Sequence, residues 1–170
     1  MIRTLAPLFV VCFFAMLVSL GVTDDSPDVA VERTREQVRM LDDLYKTVVV
    51  LITDKYVHDE EDFPAGSAAV ALFAVMKKKG WHEARLIDAT GKPRRKKNAP
   101  KDDFEREAVK ALKAGKSYYE RIVTVGGKRS LRAATPVPVV SKKCILCHEQ
   151  YEDVKKGDPV GAIGYSLTIK

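Results

Sequence analysis

Two cysteines and a histidine near the carboxyl end form the pattern with the clearest chemistry in this sequence. Cys144, Cys147 and His148 stand in the order C-x-x-C-H, with Ile145 and Leu146 between the cysteines. In this arrangement the two thiols add to the vinyl groups of a porphyrin, and the adjoining imidazole binds its iron. The spacing therefore predicts one covalently attached haem c, with His148 as the proximal iron ligand.

The same residues leave other interpretations open. A structural zinc site would need a fourth ligand, for which only His58 or His82 is available, and a second C-x-x-C pair is missing. A redox-active dithiol or a structural disulfide would use the two cysteines alone, but thioredoxin-like pairs normally begin a long helix after a strand. A small haem peroxidase would need an open iron and a distal base. No Ser-His-Asp set, phosphate-binding loop or paired-carboxylate signature stands out, so a binding protein is favoured over an enzyme.

Residues 1–21 have the pattern of a secretory signal peptide, with one positive charge at Arg3, an apolar run, and small residues at Ser19 and Gly21. The run is also long enough to approach a membrane span, so an uncleaved anchor is the alternative. Either interpretation of this segment predicts a periplasmic or otherwise exported protein. Haem is attached to C-x-x-C-H motifs outside the cytoplasm. Export makes a nucleic-acid partner unexpected despite the net charge of +6.

Hydrophobic periodicity predicts the elements that must position the motif within one domain, residues 22–170. An apolar stripe predicts a long helix that ends near Tyr56, with Ser26 as its N-cap, Pro27 at its first position and Asp28 in its first turn. A second helix, expected to be largely buried, should end at Gly80, and a third should begin at Asp102 or Asp103 and end at Gly115. The predicted strands are Trp81–Ala89, a hairpin of Ser117–Val125 and Lys128–Thr135 around Gly126-Gly127, and Gly161–Ile169. A short loop region that carries the C-x-x-C-H motif is expected between the hairpin and the last strand. The order predicts an α+β fold with a small antiparallel sheet.

Several further motifs between Lys92 and Ile169 resemble those of the haem-c-binding PAS-like domains, a family of small exported proteins of cyanobacterial type and sensor ectodomains. They are Arg94 with Asn98-Ala99-Pro100 and Phe104-Glu105, then Leu131–Pro136, Cys144–His148, and Gly157–Ala162. The resemblance implies a PAS-like fold with haem between sheet and helices, and a redox or sensing role. The sequence departs from the family in having Arg95-Lys96 in place of Asn-Pro. It also has no cysteine in the second helix, where some members carry a distal iron ligand.

The sequence therefore leaves open which residue, if any, binds the iron on the side opposite His148. His82, at the start of the first strand, would give a bis-histidine haem, and Met76, near the end of the second helix, would give a thioether ligand. A vacant position would admit a small gaseous ligand. Arg94, Arg132 and Lys143 are candidate contacts for the haem propionates. We expect a redox or signalling protein as partner, and membrane anchoring where the leader is retained.

Overall fold

The computed structural model describes residues 28–59 and 62–170. The predicted leader, residues 1–21, lies outside the described residues. The helices are α1 (Val29–Tyr56), α2 (Ala65–Lys78), α3 (Asp103–Lys113) and α4 (Lys143–Cys147), and the strands are β1 (Glu83–Asp88), β2 (Tyr119–Val125), β3 (Lys128–Pro138) and β4 (Pro159–Thr168). Single 3₁₀ turns cover Lys96–Asn98 and Glu149–Tyr151. Within the described part, no helix is both long and apolar enough to cross a membrane.

The four strands form one antiparallel sheet in the order β1-β4-β3-β2. The two central strands pair along most of their length, with Leu131 opposite Leu167 and Thr135 opposite Ile163. Gly126 and Gly127 close the β2–β3 hairpin with φ values of 56° and 75°, the left-handed conformations that a two-residue turn of this kind requires. The helices and this sheet confirm the predicted α+β class.

Alternating side chains of the sheet supply two apolar cores. Helices α1 and α2 pack on one face, where Val38, Tyr45, Ala69 and Phe73 meet Leu131, Ala133, Ile163, Tyr165 and Leu167. Helix α3 packs on the other face, where Phe104, Ala108 and Leu112 meet Ile87, Ala134 and Ala162. Along β4, Ile163, Tyr165 and Leu167 alternate toward α1 and α2, whereas Ala162 faces α3, so both faces of this central strand are covered.

Three details differ from the sequence-based expectations. Asp28 itself is the N-cap of α1, because its carboxylate accepts from Ala30 N at 3.1 Å and Val31 N at 3.2 Å. Helix α2 buries only one side, and Val75 keeps 47% of its surface exposed, so the expectation of a largely buried helix was wrong. The segment expected to be a loop around the C-x-x-C-H motif contains α4.

Candidate functional site

The C-x-x-C-H motif lies on an excursion of the chain between the two central strands. Strand β3 ends at Pro138 and β4 begins at Pro159, and these two residues are partners in the register. Residues 139–158 therefore leave and rejoin the sheet at the same end. Strand β1 also ends there, since Asp88 pairs with Gly161. The motif is thus placed at one end of the sheet by three neighbouring strand termini.

Helix α4 presents both thiols of the motif. Cys144 and Cys147 are three residues apart on this helix, a spacing that puts two side chains on the same side. Both are free thiols with partly exposed side chains. A structural disulfide between them is therefore not formed, and two unbonded sulfurs on one side are what double attachment to a porphyrin requires.

His148 directly follows α4 and is half-buried. Its Nδ1 atom is buried without a hydrogen-bond partner among the described residues. Burial lowers the pKa of the imidazole below its usual value, and the charge of Arg94 lowers it further, so the ring is neutral at pH 7. A neutral imidazole with an unsatisfied nitrogen fits a group that would bind iron.

Tyr151 lies against the His148 ring. The 3₁₀ turn after α4 brings the two rings together, with centroids 4.8 Å apart and planes inclined by 16°. Tyr151 N donates to the His148 carbonyl at 2.9 Å, so the turn is closed by the same pair of residues. Sequence reasoning missed Tyr151, although its spacing of three residues from His148 is the signal that a helical turn would stack them.

Arg94 is the predicted propionate contact that the structure brings to the motif. Its guanidinium donates to the carbonyl oxygen of Cys147. The turn before it is held by Asp88, whose carboxylate accepts from Thr90 Oγ1 at 2.8 Å and from Gly91 N at 2.7 Å. Asp88 is itself 8% exposed, so this buried carboxylate directs the chain from the end of β1 toward the motif.

Lys143 is next to the motif but is already engaged elsewhere. Its ammonium donates to the carbonyl oxygens of Asp54 at 2.8 Å and Val57 at 3.0 Å, with Thr53 O at 3.5 Å. These carbonyls belong to the carboxyl end of α1, where a positive charge is favourable. Lys143 therefore holds α4 against α1, and His58, which follows Val57, lies at this end of the molecule.

Arg132 lies away from the motif on the α3 face of the sheet. Its guanidinium pairs with Asp102 at 2.8 Å and lies 4.2 Å from the centre of the Phe104 ring. Glu105 is a further partner at 3.9 Å. These contacts join β3 to the beginning of α3, so the structure gives Arg132 a role in packing and does not bring it together with Cys144–His148.

The two predicted distal ligands lie at the other end of β1. His82 precedes β1, and six residues of strand at about 3.3 Å each place it ~20 Å from Asp88. Its Nε2 shares a 2.7 Å hydrogen bond with the Tyr45 hydroxyl, and burial lowers its pKa. Met76 is in the last turns of α2, and its carbonyl accepts from Trp81 N at 3.2 Å beside His82. This geometry disfavours both as partners of His148.

A cleft of about 520 Å³ lies between α2, the edge strand β1 and α3. Phe73, Leu86 and Phe104 supply apolar lining, and Lys97 lies at its border. The motif residues do not line this cleft. The segment between β1 and α3 lies beside both the cleft and the C-x-x-C-H motif, since it carries Lys97 at the cleft and Arg94 at the motif.

The zinc alternative receives no support from the described residues. Among residues 28–59 and 62–170, no group of three or more histidine, cysteine, aspartate and glutamate side chains is arranged to hold a metal ion. His58 is exposed, and its backbone N donates to Asp62 at 2.6 Å. His82, the other candidate fourth ligand, is engaged with Tyr45.

The comparisons with known proteins identify a family for this chain. No curated protein matches the sequence. Residues 27–166 match the Tll0287-like family, a span that includes α1, the whole sheet except the last residues of β4, and the C-x-x-C-H motif. This family is consistent with a PAS-like domain, in agreement with the resemblance found in the sequence. Because the match covers most of the chain, the protein belongs to the Tll0287-like family.

Proposed function

We propose that this protein is an exported monohaem c-type protein that serves electron transfer or redox or ligand sensing. One observation carries the proposal: two free thiols share one side of α4, and the next residue is a buried imidazole with an unpartnered nitrogen. The haem, when attached, supplies an iron centre that changes oxidation state by one electron or binds a small ligand.

Each residue of the motif then has a distinct task. Cys144 and Cys147 would each form one thioether and so fix the haem to α4. His148 would bind the iron through a neutral ring, and Tyr151 restricts that ring by stacking on it. Arg94 donates to the carbonyl of Cys147 and so holds the carboxyl end of α4 in place.

A pyridine haemochrome assay tests attachment directly. The protein is produced with the c-haem assembly machinery, extracted with acidified acetone, and measured in its reduced pyridine form. We expect a c-type absorption band and a pigment that stays with the protein, because thioether bonds survive the extraction. The variant C144S/C147S should lose its pigment to the solvent, whereas the matched variant Ser141→Ala should retain it. A colourless protein that contains zinc would refute the proposal in favour of a structural module.

Binding of carbon monoxide distinguishes a ligand-sensing haem, whose iron has a free position, from an electron carrier whose iron is fully ligated by the protein. His82 is bonded to Tyr45 and Met76 lies at the same distant end, which supports an iron whose sixth position neither residue fills. We therefore expect the reduced protein to bind carbon monoxide, and His82→Gln to leave its spectrum unchanged. A six-coordinate spectrum that changes in His58→Gln would assign that position to His58 instead.

A further inference from the structure

The segment between β1 and α3 carries a concentration of positive charge. Residues 92–101, called the basic loop here, contain six of the 29 lysine and arginine residues of the chain and no aspartate or glutamate. The six cations are Lys92, Arg94, Arg95, Lys96, Lys97 and Lys101. A density of charge this high needs a structural or functional reason, because like charges repel one another.

No carboxylate of the described residues neutralises this charge. None of the six cations forms an ion pair there, although Arg35, Arg85, Arg129 and other cations elsewhere do. The acidic groups that border the basic loop are already engaged by other residues. Asp88 binds the turn at Gly91, Asp102 pairs with Arg132, and Glu105 pairs with Arg85. The positive charge is therefore directed to solvent.

The basic loop is nevertheless held in one conformation. Arg94 donates to the Cys147 carbonyl, and Arg95 donates to Ser67 Oγ at 2.9 Å. The guanidinium of Arg85 lies beneath the loop and donates to the carbonyl oxygens of Lys97 and Ala99. A 3₁₀ turn over Lys96–Asn98 sets the direction of the two exposed lysines. Charges that are fixed in advance bind a complementary surface at a lower cost in ordering.

The composition of the basic loop selects the kind of partner. Its uncharged residues are Pro93, Asn98, Ala99 and Pro100, so it has no aromatic or large aliphatic side chain. Bilayer association is strengthened by apolar residues that enter the lipid, and single-stranded nucleic acid is bound by aromatic rings that stack on bases. A surface of fixed charge without either feature is suited to steering and orienting an acidic protein.

We propose that the basic loop is the docking surface for an acidic protein partner and that it holds this partner next to the C-x-x-C-H motif. The contact between Arg94 and Cys147 joins the docking surface to the motif. Docking itself does not depend on an attached haem. The role of the docked partner in redox exchange or signalling rests on the proposed function.

The test measures binding of a labelled peptide of twenty glutamates by fluorescence anisotropy at low and at physiological salt. The variant K96Q/K97Q removes two exposed charges of the basic loop. The matched control K113Q/K116Q removes two exposed charges at the far end of α3, which also form no ion pair with described residues. We expect at least a fivefold loss of affinity for K96Q/K97Q, less than a twofold loss for the control, and a smaller difference at higher salt.

Equal losses in the two variants would overturn the proposal, because binding would then reflect the net charge alone. Phosphatidylglycerol vesicles and a DNA duplex serve as the other probes. If the substitutions in the basic loop weaken binding to either of these more than binding to the peptide, the partner is a membrane or a nucleic acid and the proposal is wrong. Haem attachment is measured on the same samples, so a failure of the proposed function is seen independently of a failure of docking.

Discussion

Lys143 provides a sharp test of how the motif is held, because it is a candidate propionate contact whose ammonium donates to carbonyls at the end of α1. We predict that Lys143→Met destabilises the folded protein by about 2 kcal/mol while leaving haem attachment intact. Methionine keeps most of the length and apolar character of the side chain. The change therefore removes the ammonium and its hydrogen bonds with little change in packing.

The magnitude follows from the contacts of the ammonium. The bonds to Asp54 O at 2.8 Å and Val57 O at 3.0 Å have good lengths, and the 3.5 Å contact to Thr53 O adds little. Each good bond is worth about 1 kcal/mol net, because water satisfies part of the freed carbonyl capacity at a site that is not fully buried. The favourable position of the charge at the carboxyl end of α1 adds about 0.5 kcal/mol. Together these contributions amount to roughly 2 to 2.5 kcal/mol.

Urea unfolding of the holoprotein, followed by circular dichroism, measures this loss. The free energy of unfolding falls by roughly 2 kcal/mol per M of urea, so the urea concentration at the midpoint should fall by about 1 M while this slope stays unchanged. Lys142→Met is the matched control, because Lys142 is exposed and forms no ion pair with a described residue. An unchanged midpoint for Lys143→Met, together with an altered haem spectrum, would refute the structural role and support contact with the propionates.

Three further predictions follow from the contacts of single residues. Arg132→Leu should lower stability by about 1–2 kcal/mol in urea unfolding without altering the haem spectrum, since it loses its ion pair and its contact with Phe104. Leu131→Ala, at a fully buried position, should cost about 3 kcal/mol and lower the melting temperature. Because burial lowers the pKa of His82 below its unfolded value of 6.5, the unfolded state takes up the proton first, so stability should fall as the pH is lowered through about 6.5. His82→Gln should flatten this decline and His58→Gln should not; equal curves for His82→Gln and the unmodified protein would contradict the argument.

The elements with strong local signals were predictable from the sequence. The apolar stripe of α1 and the Gly126-Gly127 turn both depend on residues close together in the chain, and both are confirmed. The left-handed Gly80, with φ 74°, closes α2 as its position after three lysines indicated. Burial was less predictable, because the partner that covers a helix face is distant in sequence. An apolar composition all round α2 could not show that only Ala65, Ala69 and Phe73 would be buried.

The residues of the candidate site also differ in whether local sequence alone could predict their roles. The C-x-x-C-H spacing defines Cys144, Cys147 and His148 locally, and α4 brings the two thiols to one side without any distant contact. The roles of basic side chains depend on carboxylates and carbonyls far away in the chain. Lys143 contacts residues 86 to 90 positions earlier, a relation that no local pattern in the sequence displays.

The distal-ligand prediction shows why position along the chain does not give position in the fold. His82 precedes the first strand and so was expected near the haem, but a strand has two ends and the sequence does not say which end faces the motif. The answer comes from the pairing of Asp88 with Gly161 and of Pro138 with Pro159, which puts the motif at the carboxyl end of β1. His82 is then separated from it by the full length of the strand. In that position the hydroxyl of Tyr45 satisfies the imidazole, so His82 has a structural role that needs no iron.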